Sequence, residues 1–529
     1  MPKITVNEID NSRYVSPSES APMTVLVPGT ASFGPVFSAE YPAVSTFVGE
    51  DALVDFYNTY GINPALVEGD NKILAAVEGD LSFEYATNLL KSGATIQFYR
   101  LNKGSKAKGE LITAKHSGRF GNHLIVEFSY IEGVEKDVLV TVYKTPKNAP
   151  NTGNVDNKNK IELYTKRISA DIESAQYVAA IELDFIDVTV DALNTIITKI
   201  NADTKYVEYL TGALDFADDS GNAVEDEIST IVASLKESYS NFADPYLFDF
   251  DFVTSGGINL SNDGLNEEVH KSMVGLCETR KDCMAIIDTA ASDTYKVALE
   301  YAQKYDTSYC TFYAPWATIV SSTTGKTIEV PPSLLFMKAI LYGMNTQTES
   351  ELWYVPAGVS RASAPFIVSP AYEIGSTILD EFQNNHKYRI NPIMKLRNYG
   401  YCVYGNSTGL QSKPGLSASA LESMNVRLIS NVIKKYIFEV CSGLSFDYNN
   451  STLWLKFYSQ MDEKLLYMKR HYGLYDYKIQ MDSSTVTRQA QNERRVPGKI
   501  LISPTLAGEY FDIDFEIAPS GVSFTSEGE

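Results

Sequence analysis

The chain has few of the residues on which disulfide scaffolds and metal sites depend. It contains five cysteines and five histidines in 529 residues. The cysteines are scattered, odd in number and without Cys-x-x-Cys spacing, which predicts free, buried thiols in a reducing compartment. Only His116 and His123 lie near each other, and neither has a carboxylate or a cysteine at ligand spacing. We therefore expect no metal site and no cofactor.

Catalytic signatures are lacking as well. Gly-Lys-Thr at 325–327 lacks the glycine that a phosphate-binding loop requires five positions earlier, where Val320 stands. The chain has no Gly-x-Gly-x-x-Gly and no His-Glu-x-x-His. Asp215–Asn222 fits a calcium-binding loop only loosely, and its carboxylates lie in a charge run that is typical of solvated surface. The sequence predicts no catalytic residues and a protein that is not an enzyme.

Positive charge is also in short supply. The chain has 45 Lys and Arg against 66 Asp and Glu, a net charge of -21, which disfavours binding to nucleic acid. From Asp171 to Asp251, 18 acidic residues stand against three lysines, so this stretch predicts a solvated outer face. No run approaches 18 apolar residues and the first ten residues carry no leader-like apolar core. We expect neither a membrane-spanning helix nor a signal peptide.

The apolar pattern predicts a mixture of strands and helices. An apolar run at 24–27 predicts a buried strand, and apolar residues three and four positions apart predict a helix over 48–61. Further helices are predicted at 83–91, 294–305, 333–343 and 373–384, and further strands at 94–101, 124–131, 285–288, 309–316 and 400–405. Because 529 residues exceed what one core supports, the predicted fold class is α+β and multidomain. Mixed α/β core domains carry a β-rich inserted outer domain and extended terminal arms.

The last part of the chain has its own pattern. Two amphipathic helices are predicted at Glu422–Cys441 and Trp454–Gly473, followed by a basic, turn-rich stretch over 488–499 and a strand over 510–524. The basic cluster consists of Arg488, Arg494, Arg495 and Lys499. In an acidic protein such a cluster is a candidate docking surface for an acidic partner, and a solvated loop is the alternative.

The predicted terminal strand has two unlike faces. One row, Phe511, Ile513, Phe515 and Ile517, is wholly apolar, whereas the alternate row from position 510 to 516 is mostly acidic. The backbone groups of such a strand need partners. Addition to the sheet of a neighbouring subunit would supply them, with the apolar row fixing the register, and closure of the strand's own sheet is the alternative.

A series of short motifs, in a fixed order, resembles the contractile tail sheath family of myovirus-type phages, with kin in pyocins and other contractile injection machines. The motifs are Phe-Gly-Pro at 33–35, Arg100 at the end of a strand, Gly-Arg-Phe-Gly-Asn at 118–122, Arg-Lys-Asp-Cys-Met-Ala-Ile-Ile-Asp at 280–288, Tyr-Ala-Pro-Trp at 313–316, Glu-Val-Pro-Pro-Ser at 329–333, Trp-Tyr-Val-Pro-Ala-Gly at 353–358, the run 389–409 that begins Arg-Ile-Asn-Pro-Ile, and the helix 426–437 that begins Val-Arg-Leu. The chain departs from the family's pattern at Leu334, Asn398, Tyr404, Ser407 and Gly409.

The resemblance implies a structural protein that stacks as hexameric rings around a tail tube and contracts to drive the tube through the host envelope. It implies outer domains on the surface, an inner domain against the tube, and terminal arms that lend strands to neighbours. The implied domains are an N-terminal arm over 1–22, a middle α/β domain over 23–113 and 255–405, an inserted acidic outer domain over 114–254, an inner tube-facing domain over 406–509 and a C-terminal arm over 510–529.

The implied partners are further copies of the chain in a helical stack of hexamers, the tail tube protein, and baseplate and tail terminator proteins, without nucleic acid or membrane insertion. The implied location is the virion tail, assembled in the host cytoplasm. On this view the basic cluster contacts the tube or a neighbour, and the apolar row of the terminal strand forms the inter-subunit arm. The alternatives are another self-assembling virion shell protein, or a tail-associated glycan-binding or hydrolytic component.

Overall fold

The computed structural model describes most of the chain between residues 23 and 509. The described ranges are 23–37, 44–60, 81–145, 160–218, 220–224, 226–258, 263–292, 294–321, 325–347, 351–383, 389–412 and 417–509. The chain divides into two compact units, Met1–Tyr448 and Asn449–Glu529, called here the first and the second unit. Both predicted terminal arms, 1–22 and 510–529, lie outside the described residues.

The first unit mixes helices and strands along its whole described length. Its strands are β1 Thr24–Gly29, β2 Ser45–Phe47, β3 Thr95–Arg100, β4 Lys106–Lys108, β5 Thr113–Ser117, β6 Leu124–Tyr130, β7 Asp137–Lys144, β8 Ile161–Ser169, β9 Ile186–Asp187, β10 Tyr206–Tyr209, β11 Phe252–Val253, β12 Met284–Ile287, β13 Cys310–Ala314, β14 Ala317–Val320, β15 Thr327–Val330, β16 Ile367–Pro370, β17 Asn391–Leu396 and β18 Gly400–Val403. Its helices are α1 Ala52–Tyr60, α2 Ser82–Lys91, α3 Val190–Lys199, α4 Glu227–Asn241, α5 Asp263–Arg280, α6 Tyr295–Ala302, α7 Pro332–Thr346, α8 Ser376–Gln383 and α9 Met424–Leu444.

An eight-stranded sheet lies at the centre of the first unit, in the order β18-β17-β13-β12-β11-β1-β3-β2. The six inner strands run parallel, and β2 and β18 flank them antiparallel. Parallel strands need crossover connections, and helices supply them here. Strands β12 and β13 are buried at every position. A strand covered on both faces reads as a continuous apolar run, which is why these segments were visible in the sequence.

The sheet separates two hydrophobic cores. Successive side chains of a strand point to opposite faces. Thus Met284 and Ile286 belong to the first core, and Ala285 and Ile287 belong to the second. The first core also holds buried side chains of α1, α2 and α7, and the second holds those of α4, α5 and α6. Helices therefore cover both faces, as the predicted α/β layer requires.

Two smaller sheets follow β3 in the sequence. One is a four-stranded antiparallel sheet in the order β10-β6-β7-β8, and the other has the order β4-β5-β9. Helix α4 and strand β11, which lie inside the predicted insertion over 114–254, pack with the second core and the eight-stranded sheet respectively. The division of the chain into arms and named domains stays a prediction.

The predicted fold class, a multidomain mixture of helices and strands, is confirmed. The predicted helices at 48–61, 83–91, 294–305, 333–343 and 373–384 correspond to α1, α2, α6, α7 and α8. The helix predicted at Glu422–Cys441 is α9, and the one at Trp454–Gly473 is the helix α10 of the second unit, Ser451–Arg470. Two helices of the acidic stretch, α3 and α4, were not predicted.

The second unit is a helix with a β-hairpin. Besides α10 it contains β19 Leu474–Gln480, the short helix α11 Arg488–Asn492 and β20 Lys499–Pro504. Asn450 caps α10, since its Oδ1 accepts from the backbone N–H groups of Thr452 (2.9 Å) and Leu453 (3.2 Å). One face of α10 is buried at a spacing of four and then three residues, at Leu453, Phe457, Met461, Leu465 and Met468.

The prediction that all five cysteines are buried needs one correction. All five are free, and Cys277, Cys283, Cys310 and Cys402 are buried, but Cys441 is exposed. Cys441 lies near the end of α9, where the helix presents a largely solvated side. No helix among the described residues is long and apolar enough to cross a membrane.

Candidate assembly surface

The hairpin of the second unit pairs β19 with β20 in antiparallel register, with Lys478 opposite Leu501 and Ile479 opposite Ile500. It is anchored to α10 by polar contacts. The Tyr477 hydroxyl donates to Asp462 Oδ1 (2.9 Å), and burial together with that carboxylate raises the pKa of Tyr477 to about 12. Leu474 and Ile479 are buried at the two ends of β19. The hairpin is thereby held at several points along its length.

The two long edges of this hairpin carry no further strand among the described residues. In an antiparallel pair, alternate residues direct their N–H and C=O groups away from the partner strand. These outward groups are a template for an added strand. A two-stranded ribbon alone is marginal in water, so a third or fourth strand would stabilise it. The hairpin is therefore a surface on which strand addition is geometrically available.

The predicted basic cluster borders this hairpin along the chain. Arg488 begins α11, Arg494 and Arg495 follow that helix, and Lys499 begins β20. All four side chains are exposed. Arg495 Nη1 lies 3.9 Å from a carboxylate oxygen of Glu493, an exposed pair of small energetic value. The cluster thus keeps most of its positive charge open to solvent, and its role as a contact stays a prediction.

Arg494 occupies an unusual backbone conformation. Its φ is +58°, the left-handed region that favours glycine. Its N–H donates to Gln491 O (3.0 Å), and the Arg495 N–H donates to Ala490 O (2.8 Å). This pair of bonds is the Schellman motif, in which a residue just past the helix closes the last turn and is usually glycine. An arginine here costs about 1 kcal/mol in backbone strain.

The basic loop is tied to the start of α10. The Asn449 side chain donates to the Arg495 carbonyl oxygen (3.0 Å) and accepts from Trp454 Nε1 (3.0 Å). Beside this tie, Ala490, Val496 and Pro497 line an open groove of about 540 Å³. The groove combines exposed apolar surface with the opposite charges of Arg495 and Glu493. An open groove of this kind suits an extended segment better than a small molecule.

The four residues predicted to form the inter-subunit arm, Phe511, Ile513, Phe515 and Ile517, lie outside the described residues. The hairpin that could receive such an arm was not predicted. The stretch over 488–499, expected to be a turn-rich loop, instead contains α11 and its cap. The structure thus shows a hairpin with unpaired edges among the described residues, and strand exchange itself stays a prediction.

The motif residues of the first unit fasten segments together. Arg100 is fully buried, and its Nη1 donates to the carbonyl oxygens of Gly34 (3.0 Å) and Ser117 (2.8 Å). Its Nε donates to Asn102 Oδ1 (3.0 Å). Burial lowers the pKa of Arg100 to about 10, and the nearby Asp215 opposes that shift. The motif at 33–35 and the residue just before the motif at 118–122, which are far apart in sequence, therefore meet at one buried cation.

A second junction lies where β17 begins. Asn391 is fully buried, and its Nδ2 donates to Thr311 Oγ1 (2.9 Å) and to the Phe312 carbonyl oxygen (3.1 Å). Its Oδ1 accepts from the Ser407 N–H (2.7 Å). This one amide holds β13, β17 and the segment after β18 together.

Residues 405–409, Gly-Asn-Ser-Thr-Gly, match the Gly-x-Ser-x-Gly spacing of a hydrolase nucleophile elbow. An elbow places its serine between a strand and the helix that follows directly. Here Ser407 follows β18, and the next α-helix of the described chain is α9, which begins at Met424. The Ser407 backbone is also engaged with Asn391. The local structure is that of a packed junction.

A buried carboxyl lies at the end of β12. Asp288 accepts from Ser333 through both the backbone N–H (2.8 Å) and the hydroxyl (2.5 Å), and the Ser333 hydroxyl also contacts the Tyr85 hydroxyl (2.8 Å). Burial raises the pKa of Asp288 to about 7, and the bonds from Ser333 oppose that shift. The adjoining cavity of about 10 Å³ has room for one water molecule. This cluster therefore has no space for a substrate.

Helix α9 docks through cations on the amino ends of the parallel strands. The Arg427 guanidinium lies 4.1 Å from the centre of the Tyr309 ring. Lys435 Nζ lies 2.6 Å from Asp251 and 2.7 Å from Asp249. Burial alone would lower the pKa of Lys435, but the two carboxylates reverse the direction and raise it. Within the described residues no group of three or more potential ligand side chains is placed to hold a metal ion.

The chain is similar to tail sheath proteins in sequence. It is 23% identical to the tail sheath protein of Vibrio phage KVP40 over 179 residues, 34% of this chain and 26% of the relative. It is 21% identical to the tail sheath protein of Enterobacteria phage T4 over 312 residues, 55% of this chain and 45% of the relative. The matches thus span less than half the length of these curated relatives. No protein-family model matches the chain.

The chain is similar to a sheath protein in fold as well. The crystal structure of the sheath tail protein from Listeria innocua matches 93% of this chain and 93% of that chain, with a TM-score of 0.57 and 12% identity. At that identity the likeness concerns the fold. The resemblance predicted from the ordered motifs is confirmed by these comparisons.

Proposed function

We propose that the chain is the structural subunit of a contractile tail sheath. The observation that carries the proposal is the hairpin β19–β20, whose long edges are unpaired within the described residues, in a chain similar to tail sheath proteins. An exposed strand edge is a liability unless assembly covers it. In a subunit that polymerises by strand exchange, the exposed edge pairs with a strand of another copy and so forms the main contact.

The donor of the added strand is the segment over 510–517 of another copy. Its apolar row, Phe511, Ile513, Phe515 and Ile517, faces the side of the hairpin that packs on α10, and the acidic row faces solvent and the basic cluster. Residues 505–509 span at most about 18 Å when fully extended. That length lets the segment leave its own subunit, and it also permits a return to its own β20. The experiment below separates these two routes.

The finer features of the proposal follow what the resemblance to contractile tail sheaths implies. Copies stack as hexameric rings around a tail tube, with baseplate and tail terminator proteins at the ends, in a virion tail assembled in the host cytoplasm. Arg488, Arg494, Arg495 and Lys499 contact an acidic surface of the tube or of a neighbouring copy. Exposed ion pairs are weak and screened by salt, so such contacts release readily.

Contraction in this proposal needs no nucleotide. The extended sheath is metastable, and rigid subunits rotate into larger mutual contacts while the exchanged strands act as hinges. The buried junctions at Arg100 and Asn391 fit this scheme because they keep the first unit in one piece. No enzymatic role is proposed, and both curated relatives carry the name of a structural protein.

Electron microscopy of the purified full chain tests the proposal, alone and with its tail tube. Tubes or six-fold rings are expected for the natural chain. The double variant F511D/I513D places charge in the apolar row and abolishes them, whereas D512N/D514N on the other row retains them. Monodisperse monomers of the natural chain under all assembly conditions contradict a sheath role.

Thermal unfolding of the unassembled protein separates the two routes of the terminal segment. If residues 510–529 pair with another copy, deleting them leaves the Tm of the dilute monomer unchanged. If they return to their own β20, the deletion lowers the Tm of the monomer. A lowered monomer Tm together with intact tubes rules out strand exchange as the assembly contact.

A further inference from the structure

Two thiols of the first unit lie in contact inside its second core. Cys277, near the end of α5, and Cys283, just before β12, are both 0% exposed. Their Sγ atoms are 3.6 Å apart, with the Cys283 thiol directed at the Cys277 sulfur. The sequence places them six positions apart, a spacing that belongs to no Cys-x-x-Cys motif.

A tight turn fixes this approach. Lys281, the residue after α5, has a φ of +65°, and its N–H donates to the Cys277 carbonyl oxygen (2.8 Å). A left-handed residue at a helix end reverses the chain, and here the reversal returns Cys283 to Cys277. Arg280 braces the turn, because its Nε and Nη2 donate to the two oxygens of Asp282 (2.9 and 2.8 Å).

The same turn is a docking point for α9. Asn431 Nδ2 donates to the Cys283 carbonyl oxygen (3.2 Å), and Lys434 Nζ donates to the Lys281 carbonyl oxygen (2.8 Å). A covalent bond between the two cysteines would therefore stiffen both the connection from α5 to β12 and the platform on which α9 lies.

We propose that Cys277 and Cys283 are an oxidation site at which a reversible disulfide forms. A disulfide bond is about 2.05 Å long, so the sulfurs must approach by about 1.5 Å. The turn already brings them together, and the remaining movement is within the reach of side-chain rotation. Cys310 is different, since its thiol is directed at the Thr307 carbonyl oxygen (3.7 Å).

Hydrogen peroxide is the oxidant that suits a closed site because it is small. One thiolate attacks a peroxide oxygen, the O–O bond breaks, and a sulfenic acid and hydroxide result. The second thiolate attacks the sulfenic sulfur and expels hydroxide. Two thiols and one peroxide give one disulfide and two waters, with two electrons passing from sulfur to oxygen. Burial raises the pKa of the Cys277 thiol, so the first attack is slow.

The timing of the bond rests on the proposed function. A tail subunit folds in a reducing cytoplasm, where thiols persist, and later leaves the cell for an oxidising environment. The pair is then reduced during folding and assembly and becomes oxidised in the released particle. The chemistry of the pair does not depend on polymerisation, so it can be tested on the unassembled chain.

Peptide mapping of the natural full chain is the direct test. Trypsin cleaves after Lys271, Arg280, Lys281 and Lys296, which places the two cysteines in separate peptides, 272–280 and 282–296. After peroxide treatment and alkylation of the remaining thiols, we expect these two peptides to be joined, and dithiothreitol to separate them. If both are recovered unjoined, alkylated or over-oxidised, or if either is joined to the Cys310 peptide, the proposal is wrong.

A thiol count provides the second readout. In a C441S background, which removes the exposed thiol, four cysteines remain, and peroxide is expected to lower the titratable thiols of the unfolded chain from four to two. The matched variant C310S/C441S falls from three to one, and C283A/C441S stays at three. An unchanged count in the C441S protein contradicts the proposal. Failure to form tubes has no bearing on these counts, so the two proposals fail separately.

Discussion

The central sheet of the first unit and the hairpin of the second unit differ in how their strands find partners. In the first unit each inner parallel strand has a neighbour on both sides and helices on both faces. In the described part of the second unit β20 pairs with β19 alone. Five residues in or near the hairpin are exposed apolar or aromatic side chains, namely Tyr472, Tyr475, Val496, Leu501 and Leu506. Within the described residues the strands of the first unit's central sheet are largely paired, whereas the hairpin of the second unit keeps two unpaired edges, which the proposed assembly would cover.

The two units also differ in whether their polar side chains are buried or exposed. In the first unit buried polar side chains such as Arg100 and Asn391 close junctions between distant segments. In the second unit the charged side chains of the basic cluster, among them Arg494, Arg495 and Lys499, are exposed. Buried, bonded groups specify one arrangement, and exposed charges leave an arrangement open to a partner and to salt. These differences fit the proposal that the first unit stays rigid while the second exchanges contacts.

The largest effect is expected at the Arg100 junction. Replacing Arg100 with methionine leaves the carbonyl oxygens of Gly34 and Ser117 without their donor in a buried site, and it destabilises the first unit by about 3 kcal/mol. Urea unfolding in a W454F background measures this, because Trp316 and Trp353 then report on the first unit alone.

The matched control is Arg167→Met. Arg167 is half-exposed and pairs with the buried carboxylate of Asp137, which Ser169 also holds by a hydrogen bond, so its replacement should cost about 1 to 2 kcal/mol, less than that of Arg100. Equal losses of unfolding free energy for Arg100→Met and Arg167→Met would contradict the view that buried polar junctions hold the first unit together.

The second-largest effect is expected in how the free energy of unfolding of the first unit depends on pH. The pKa of Asp288 is raised to about 7 in the folded chain, against about 3.9 in an unfolded one. Between these values the folded state binds more protons than the unfolded state, so the contribution of Asp288 to stability falls as pH rises from about 4 to 7. At its steepest, this contribution falls by about 1.4 kcal/mol for each pH unit.

The variant Asp288→Asn isolates that contribution. Buried His270, whose pKa is lowered to about 4 by burial, acts in the opposite direction in both proteins, so the difference between them removes it. We expect the stability of the natural chain relative to the variant to decrease from pH 4 to pH 7 in the first unit and not in the second. Parallel pH curves would show that the Asp288 carboxyl does not titrate in this range.

The smallest effect is expected at Arg494 in the second unit. Glycine takes up a left-handed φ without strain, so Arg494→Gly should stabilise the second unit by about 1 kcal/mol. Fluorescence of Trp454 in a W316F/W353F background follows the second unit. Arg495→Gly, at a position outside the left-handed region, should bring no gain. A loss of stability on Arg494→Gly would mean that the side chain has stabilising contacts that outweigh its backbone strain.

Much of the fold follows from local pattern. The apolar spacing of Phe56 and Tyr60 predicted α1, and the short apolar run at 284–287 predicted β12, because burial on one helical face or on both sheet faces leaves a local signature. Helix α4 carried the same signal, with buried Ile231, Leu235 and Tyr239 at spacings of four. The surrounding acidic run masks this signal in the sequence, because a run of like charge predicts a solvated face.

The candidate assembly surface, the hairpin with its basic cluster, was harder to predict. Strands β19 and β20 are joined by residues 481–498, without the short turn that marks most hairpins in sequence. The basic cluster was visible as a run of charge, but its helix and the strained cap at Arg494 depend on bonds that composition does not reveal. Arginine is seldom fully buried, so the role of Arg100 depends on partners that only the folded chain brings together.

Hydrogen exchange of the β20 amides is the sharpest test of the proposal that copies of the chain assemble by adding a strand to the hairpin. Among Lys499–Ser503, the amides directed away from β19 should exchange at least about tenfold more slowly in assembled tubes than in the unassembled chain, because an added strand accepts their hydrogen bonds. The amides of Met284–Ile287 in β12 should exchange alike in both, since that strand is already paired on both sides. Unchanged exchange of these β20 amides in tubes would contradict assembly by strand addition at the β20 edge of the hairpin.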